Sequence, residues 1–145
     1  MTQLETKIDI DVSRERVWEI LTDFAAYPLW NPFITAISGA LEVGAVLKVH
    51  LALPAKPPMS FKPTLKVVER PRELRWAGQV LAPGLFDGEH GFEIEALGAG
   101  RCRLRHVEVF SGVLVPLFIP ALQDVTRAGF EAMNRALKAR AEAAG

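Results

Sequence analysis

The last quarter of the chain, from about Pro120 to Ala144, limits the fold more than any other stretch. Phe118, Leu122, Val125, Thr126, Gly129, Phe130, Met133, Ala136 and Leu137 recur at helical spacing on one side. Gln123, Asp124, Arg127, Glu131, Asn134, Arg135, Lys138 and Glu142 fall on the other. Arg127 to Glu131, Glu131 to Arg135 and Lys138 to Glu142 are spaced i,i+4, as ion pairs on a wet helix face are. Pro120 fits a first-turn position, where its missing N–H costs nothing. Such a helix is stabilised mainly by packing its apolar stripe. Everything upstream alternates with period two, so the stripe is expected to lie in the curve of a sheet.

Leu4, Thr6, Ile8, Ile10 and Val12 alternate with charged residues as a half-buried strand does. Ser13 reads as the N-cap of a short helix from Arg14 to about Asp23. Tyr27-Pro28 is expected to stop helical continuation, and Trp30-Asn31-Pro32-Phe33 to form a rigid turn. Six strand-like runs follow: 33–41, 45–53, 61–68, 74–80, 89–97 and 102–110. A proline-rich loop spans Pro54–Pro58, a longer one opens at Ala82-Pro83-Gly84, and Gly98-Ala99-Gly100 reads as a tight hairpin. Consecutive strands with short links argue for antiparallel pairing. The expected class is α+β in one domain over residues 1–145, with a seven-stranded antiparallel sheet around the C-terminal helix.

Composition enters through what it excludes. Lys plus Arg and Asp plus Glu each number 17, so no charge footprint points to nucleic acid or an anionic membrane. Cys102 is the only cysteine, which leaves no internal disulfide and no cysteine-based zinc site. The most apolar run, Val107 to Leu122, is broken by Ser111, Gly112, Pro116 and Pro120 and is too short to span a bilayer. Met1 leads straight into a polar strand, which reads as no signal peptide, with the cytoplasm as the expected location.

The order of elements, together with Asp23-Phe24-Ala25-Ala26-Tyr27-Pro28-Leu29-Trp30-Asn31-Pro32-Phe33, resembles the START-like superfamily, in particular its polyketide cyclase/dehydrase-type branch. Phe110-Ser111-Gly112, leading through Pro116 into the final helix, is similar to that branch as well. The resemblance implies a helix-grip fold with an internal cavity for an apolar ligand. It carries over no catalytic residue.

Strand alternation turns Leu51, Phe61, Leu65, Trp76, Val80, Phe92, Ile94 and Leu104 inward, toward Phe118, Leu122, Phe130 and Met133 of the helix. From these, ligand contacts are expected at Phe61, Trp76, Phe92, Phe118, Leu122 and Phe130. A mouth is expected near Asn31–Phe33, Pro54–Pro58 and Pro83–Phe86, bringing in Trp30, Phe33 and Phe86. Gly129, in mid-helix, leaves room either for a ligand or for close packing. His90, His106 and Glu108 share the inner face. Three readings of them stay open: a hydrogen-bonded polar patch, a ligand-contacting acid–base set, or a two-histidine, one-carboxylate metal site. No His-x-x-x-His spacing supports the metal, and neither metal nor cofactor is expected. Cys102 faces inward and reads as inert.

The leading expectation is a protein that binds a small hydrophobic or aromatic, lipid- or polyketide-like molecule, as a monomer or homodimer. A cyclase or dehydrase using His90, His106 and Glu108 is the alternative, and a co-chaperone-like interaction module the third. The hairpin register bears on this choice. With Leu97 opposite Arg101, Glu95 faces Arg103 and Glu93 faces Arg105 outside, while Phe92 faces His106 and His90 faces Glu108 inside. Val107 and Val109 turn outward in that register, and a bulge there would instead send His106 and Glu108 to solvent.

Overall fold

The computed structural model describes residues 2–53, 56–80 and 84–143, without the side chains of Val80, Phe118, Ile119 and Ala121. The ligand contact expected of Phe118, the inward side chain of Val80, and Pro54, Ala55, Ala82 and Pro83 of the mouth loops lie outside the described residues. The elements are β1 (Thr2–Ile10), α1 (Arg14–Thr22), a 3-10 turn (Phe24–Ala26), α2 (Tyr27–Trp30), β2 (Ile34–Ser38), β3 (Lys48–Leu51), β4 (Met59–Phe61), β5 (Thr64–Glu69), β6 (Glu73–Val80), β7 (Phe86–Gly98), β8 (Arg101–Ser111) and α3 (Val115–Ala143).

The strands form a five-stranded antiparallel sheet, β1-β8-β7-β6-β5, and a three-stranded one, β2-β3-β4. This corrects the expected seven strands. Pro63 divides the run at 61–68, because proline has no N–H to give a ladder. Its carbonyl still accepts from Leu47 N at 2.8 Å, Leu65 N donates to Ala45 O at 2.9 Å, and Gly44 N to Leu65 O at 2.8 Å. The segment before β3 thereby stitches the two sheets together.

Ser13 caps α1 through its hydroxyl, which accepts from Arg16 N at 3.3 Å. Tyr27-Pro28 does not end helical structure; α2 adds one turn with Pro28 near its start, where proline is tolerated. Asn31 then makes the expected turn: its Oδ1 accepts from Phe33 N at 2.9 Å and from Ile34 N at 2.8 Å, which carries Phe33 into the core.

The long helix begins at Val115, ahead of the expected Pro120. Pro116 occupies the first turn and Pro120 lies inside, removing the one bond that the Pro116 carbonyl would have accepted. Phe130, Met133, Leu137 and Ala141 of α3 are fully buried in the core. The helix also seals β1, an edge strand of the larger sheet. Arg127 donates to Glu5 O at 3.0 Å, Lys138 to Asp9 O at 2.9 Å, and Glu142 accepts from Asp11 N at 2.8 Å. Of the three anticipated i,i+4 pairs, Lys138–Glu142 forms at 2.6 Å, while Arg127 turns to the strand instead.

Gly112 joins β8 to α3 at φ +117°, and a Cβ there would lie 2.5 Å from Leu85 O. Gly112→Ala is expected to cost about 2 kcal/mol or more in urea unfolding. Gly100→Ala, where a Cβ meets nothing within 4 Å, is the control and should stay within about 0.5 kcal/mol. Equal midpoints for the two variants would refute the strain at Gly112.

Candidate functional site

The register of β7 and β8 is the one the charge pattern demands from Ala96↔Cys102 to His90↔Glu108. Only the turn differs: Gly98 pairs with Arg101, the ladder shifts between Ala96 and Gly98, and Leu97 is the extra residue. The ladder runs on unbroken past Val107 and Val109, so His106 and Glu108 face the concave side. Val107 is nonetheless buried on the convex face, beside Gly91, over which the Arg75 guanidinium lies.

A cavity of about 150 Å³ lies between this concave face, the three-stranded sheet and the first half of α3. Phe33, Phe61, Trp76, Phe86, His90, Glu108 and Leu122 line it, as do Leu51, Leu53, Met59, Phe110 and Thr126. The remaining expected contacts fall elsewhere. Phe92, His106 and Phe130 are fully buried behind the wall, with His106 and Phe130 stacked at 3.8 Å and 4°. Trp30 packs edge-on against Tyr27 at 5.2 Å and lines a separate groove with Arg16, Asp23 and Arg140. Gly129 leaves no room for a ligand, because a Cβ there would lie 2.5 Å from the Phe33 ring, which fills that space. Asn31 is buried in its own turn rather than at a mouth.

From behind the wall to its surface runs a chain of polar side chains. Thr6 Oγ1 accepts from Asn134 Nδ2 at 2.8 Å, and Asn134 Oδ1 meets His106 Nδ1 at 2.9 Å. His106 Nε2 meets His90 Nε2 at 2.6 Å, and His90 Nδ1 lies 3.4 Å from Glu108 Oε1. The sheet sets these neighbours, since Thr6 pairs with His106, and His90 with Glu108 on one side and Trp76 on the other. Residue type puts Asn134 on the wet face, yet it is 3% exposed. Its position gave the better signal, four residues after Phe130 and three before Leu137 on the buried stripe.

The donors fix one another. Asn134 Oδ1 accepts, so His106 carries its proton on Nδ1 and accepts at Nε2. His90 then donates from Nε2 and leaves Nδ1 as an acceptor turned toward Glu108. Burial, with the Arg75 guanidinium adding to it, pushes the His90 imidazole down to about 3. Burial and then His90 hold His106 well below its ordinary value, against the Asn134 hydrogen bond. Burial pushes the Glu108 carboxyl up to about 8. Near neutral pH the contact between His90 and Glu108 therefore joins two uncharged groups. Two imidazole nitrogens 2.6 Å apart share a proton and leave no space for a metal between them. Among the described residues no cluster of three or more His, Cys, Asp or Glu is placed to hold one. Burial pushes the Cys102 thiol up to about 11, which fits an inert core cysteine.

These values give stability a pH dependence. Glu108 keeps its proton to about pH 8 when folded, against an ordinary 4.5, so the native state binds more protons between those values. Its contribution is present at low pH and is lost as pH rises through that window. The histidines act oppositely: their contribution is present above 6.5 and is lost on acidification. In urea unfolding, Glu108→Gln should gain on the wild type between pH 5 and pH 8 by roughly 2–4 kcal/mol. Parallel pH profiles for the two proteins would show that the carboxyl titrates normally.

The chain matches the family described as polyketide cyclase / dehydrase and lipid transport over residues 1–142. No match is found among curated proteins. Of solved structures, it is similar to a START superfamily protein from Mycobacterium smegmatis at 21% identity and a TM-score of 0.76, with 99% of each chain covered. It is similar to the Zhui aromatase/cyclase from Streptomyces sp. R1128 at 18% identity and a TM-score of 0.78, covering 97% of this chain and 93% of that one. The di-domain ARO/CYC BexL from the BE-7585A biosynthetic pathway matches at 14% identity and a TM-score of 0.73 over 94% of this chain; 46% of BexL is covered, so the chain spans about half its length. At such identities the likeness to these structures is one of fold. The chain belongs to the polyketide cyclase/dehydrase and lipid transport family, with the START-like helix-grip fold.

Proposed function

We propose that the protein, acting as one ligand-binding unit over residues 1–145, binds a small hydrophobic or aromatic molecule between its sheet and α3. The observation that carries this reading is the cavity, whose wall is mainly apolar and includes Phe33, Phe61, Trp76, Phe86 and Phe110. At about 150 Å³ it has the volume that takes a single aromatic ring. Family membership and the likeness to an aromatase/cyclase support a hydrophobic occupant. Among the described residues no helix is long and apolar enough to cross a membrane.

The polar chain from Thr6 to Glu108 favours a second reading, an enzyme of cyclase or dehydrase type. A partly buried carboxyl with a raised pKa, in contact with an imidazole, has the parts of a proton relay. Glu108→Gln separates the two readings: a relay loses turnover by at least a hundredfold while binding persists.

Native mass spectrometry of the purified protein is expected to show a small-molecule adduct. Leu122→Trp, which fills the cavity from the helix side, should abolish it while circular dichroism stays that of the wild type. A folded variant that carries the same adduct would place the ligand elsewhere.

A further inference from the structure

Glu108 has a chemical orientation as well as a position. Among the described residues its polar neighbour is the His90 ring, 3.4 Å from Oε1, longer than a well-formed O–H···N bond. The other oxygen, Oε2, lies over Gly88, where a Cβ would come within 2.9 Å of it. Glu108 and Gly88 both line the cavity. His90 Nδ1 presents a lone pair to Oε1, so the proton of a neutral carboxyl belongs on Oε1, and Oε2 is left as an acceptor. With Asn134 Oδ1 on His106 and Nδ2 on Thr6, this is the proton order of the chain, and Oε2 turns to the cavity as an acceptor without a donor, in a wall otherwise largely apolar.

We propose that the occupant of the cavity is a single-ring aromatic molecule bearing a hydroxyl or amino donor, which it presents to Glu108 Oε2. This rests on the binding reading above and makes Glu108 the residue that selects among apolar ligands. A donor meeting the acceptor satisfies a partly buried polar oxygen that toluene leaves bare. Gln79 on β6 and Thr126 on α3 are further polar residues of the same wall. Gly88 is part of the device, because any side chain there would displace the carboxyl.

The test is isothermal titration calorimetry of the full chain with phenol, aniline, anisole and toluene. A purely apolar cavity follows the hydrophobic order, with toluene tightest and the two donors, phenol and aniline, weakest. The expected result is the reverse, with phenol and aniline about tenfold tighter than anisole and toluene. Glu108→Leu is expected to restore the hydrophobic order while toluene still binds. Should that variant fail to fold, Gly88→Ala reads the same contact and should erase the preference for donors. Toluene binding more tightly than phenol to the wild type would overturn the inference and leave the cavity reading intact. Absence of binding by all four would overturn both.

Discussion

Arg105 on β8 reaches Glu5 on β1 at 2.6 Å and Glu93 on β7 at 2.7 Å, and this bridge holds three strands in one register. Arg75 extends the ladder from Glu93 to Glu73, and Arg103 holds Asp9 at 2.7 Å. Each such pair contributes little by itself, about 1 kcal/mol or less at a surface. Their collective effect lies in what a slip would do. Moving one strand by a residue would turn this row of charges into the core and the core outward. Gly91 belongs to the same arrangement, since a Cβ there would lie 2.6 Å from the Arg75 guanidinium. The convex charges thus determine which residues occupy the concave face. His90, His106 and Glu108 become neighbours because Glu93 and Arg105 do.

That argument explains why this part of the site was legible in the sequence. The charge pattern outside and the apolar pattern inside agree on one register from Ala96 to His90, and the ladder follows it. Asn134 was not legible, because sorting a helical wheel by residue type sends an amide to solvent. Its spacing from Phe130 and Leu137 put it on the buried stripe, where it found Thr6 and His106. Gly129 failed for a different reason. A gap on a helix says that something comes close but not what, and the Phe33 ring arrives from a distant part of the chain.

The fold was legible in outline and less so at its joints. Period-two runs and one long stripe are enough for a sheet gripping a helix. They do not count strands. Pro63 removes one N–H and splits a run, while its carbonyl and the amide of Leu65 keep the two sheets connected. The start of α3 is hidden in the sequence because Pro120 looks like a boundary. Pro116 already fills that role, and a second proline one turn later gives up a single hydrogen bond close to the helix start, where the ladder is incomplete anyway.

The polar chain is the least expected part of an apolar interior, and its satisfaction is graded along its length. Thr6, Asn134 and His106 hold one another at 2.8 and 2.9 Å, and His90 joins them at 2.6 Å. Glu108, at the far end, is left with a 3.4 Å contact and the cavity. Glu108 is partly buried, its side chain 15% exposed, and a wall built only to hold hydrocarbon has no use for a polar group short of a partner. Thr6, Asn134 and His106 are too well paired and too deeply buried to meet a ligand. What they transmit is direction: each hydrogen bond fixes the next donor, until the last oxygen that faces the void accepts. A chain of four satisfied groups ending in one unsatisfied group is what a cavity needs if it is to tell a polar ring from an apolar one.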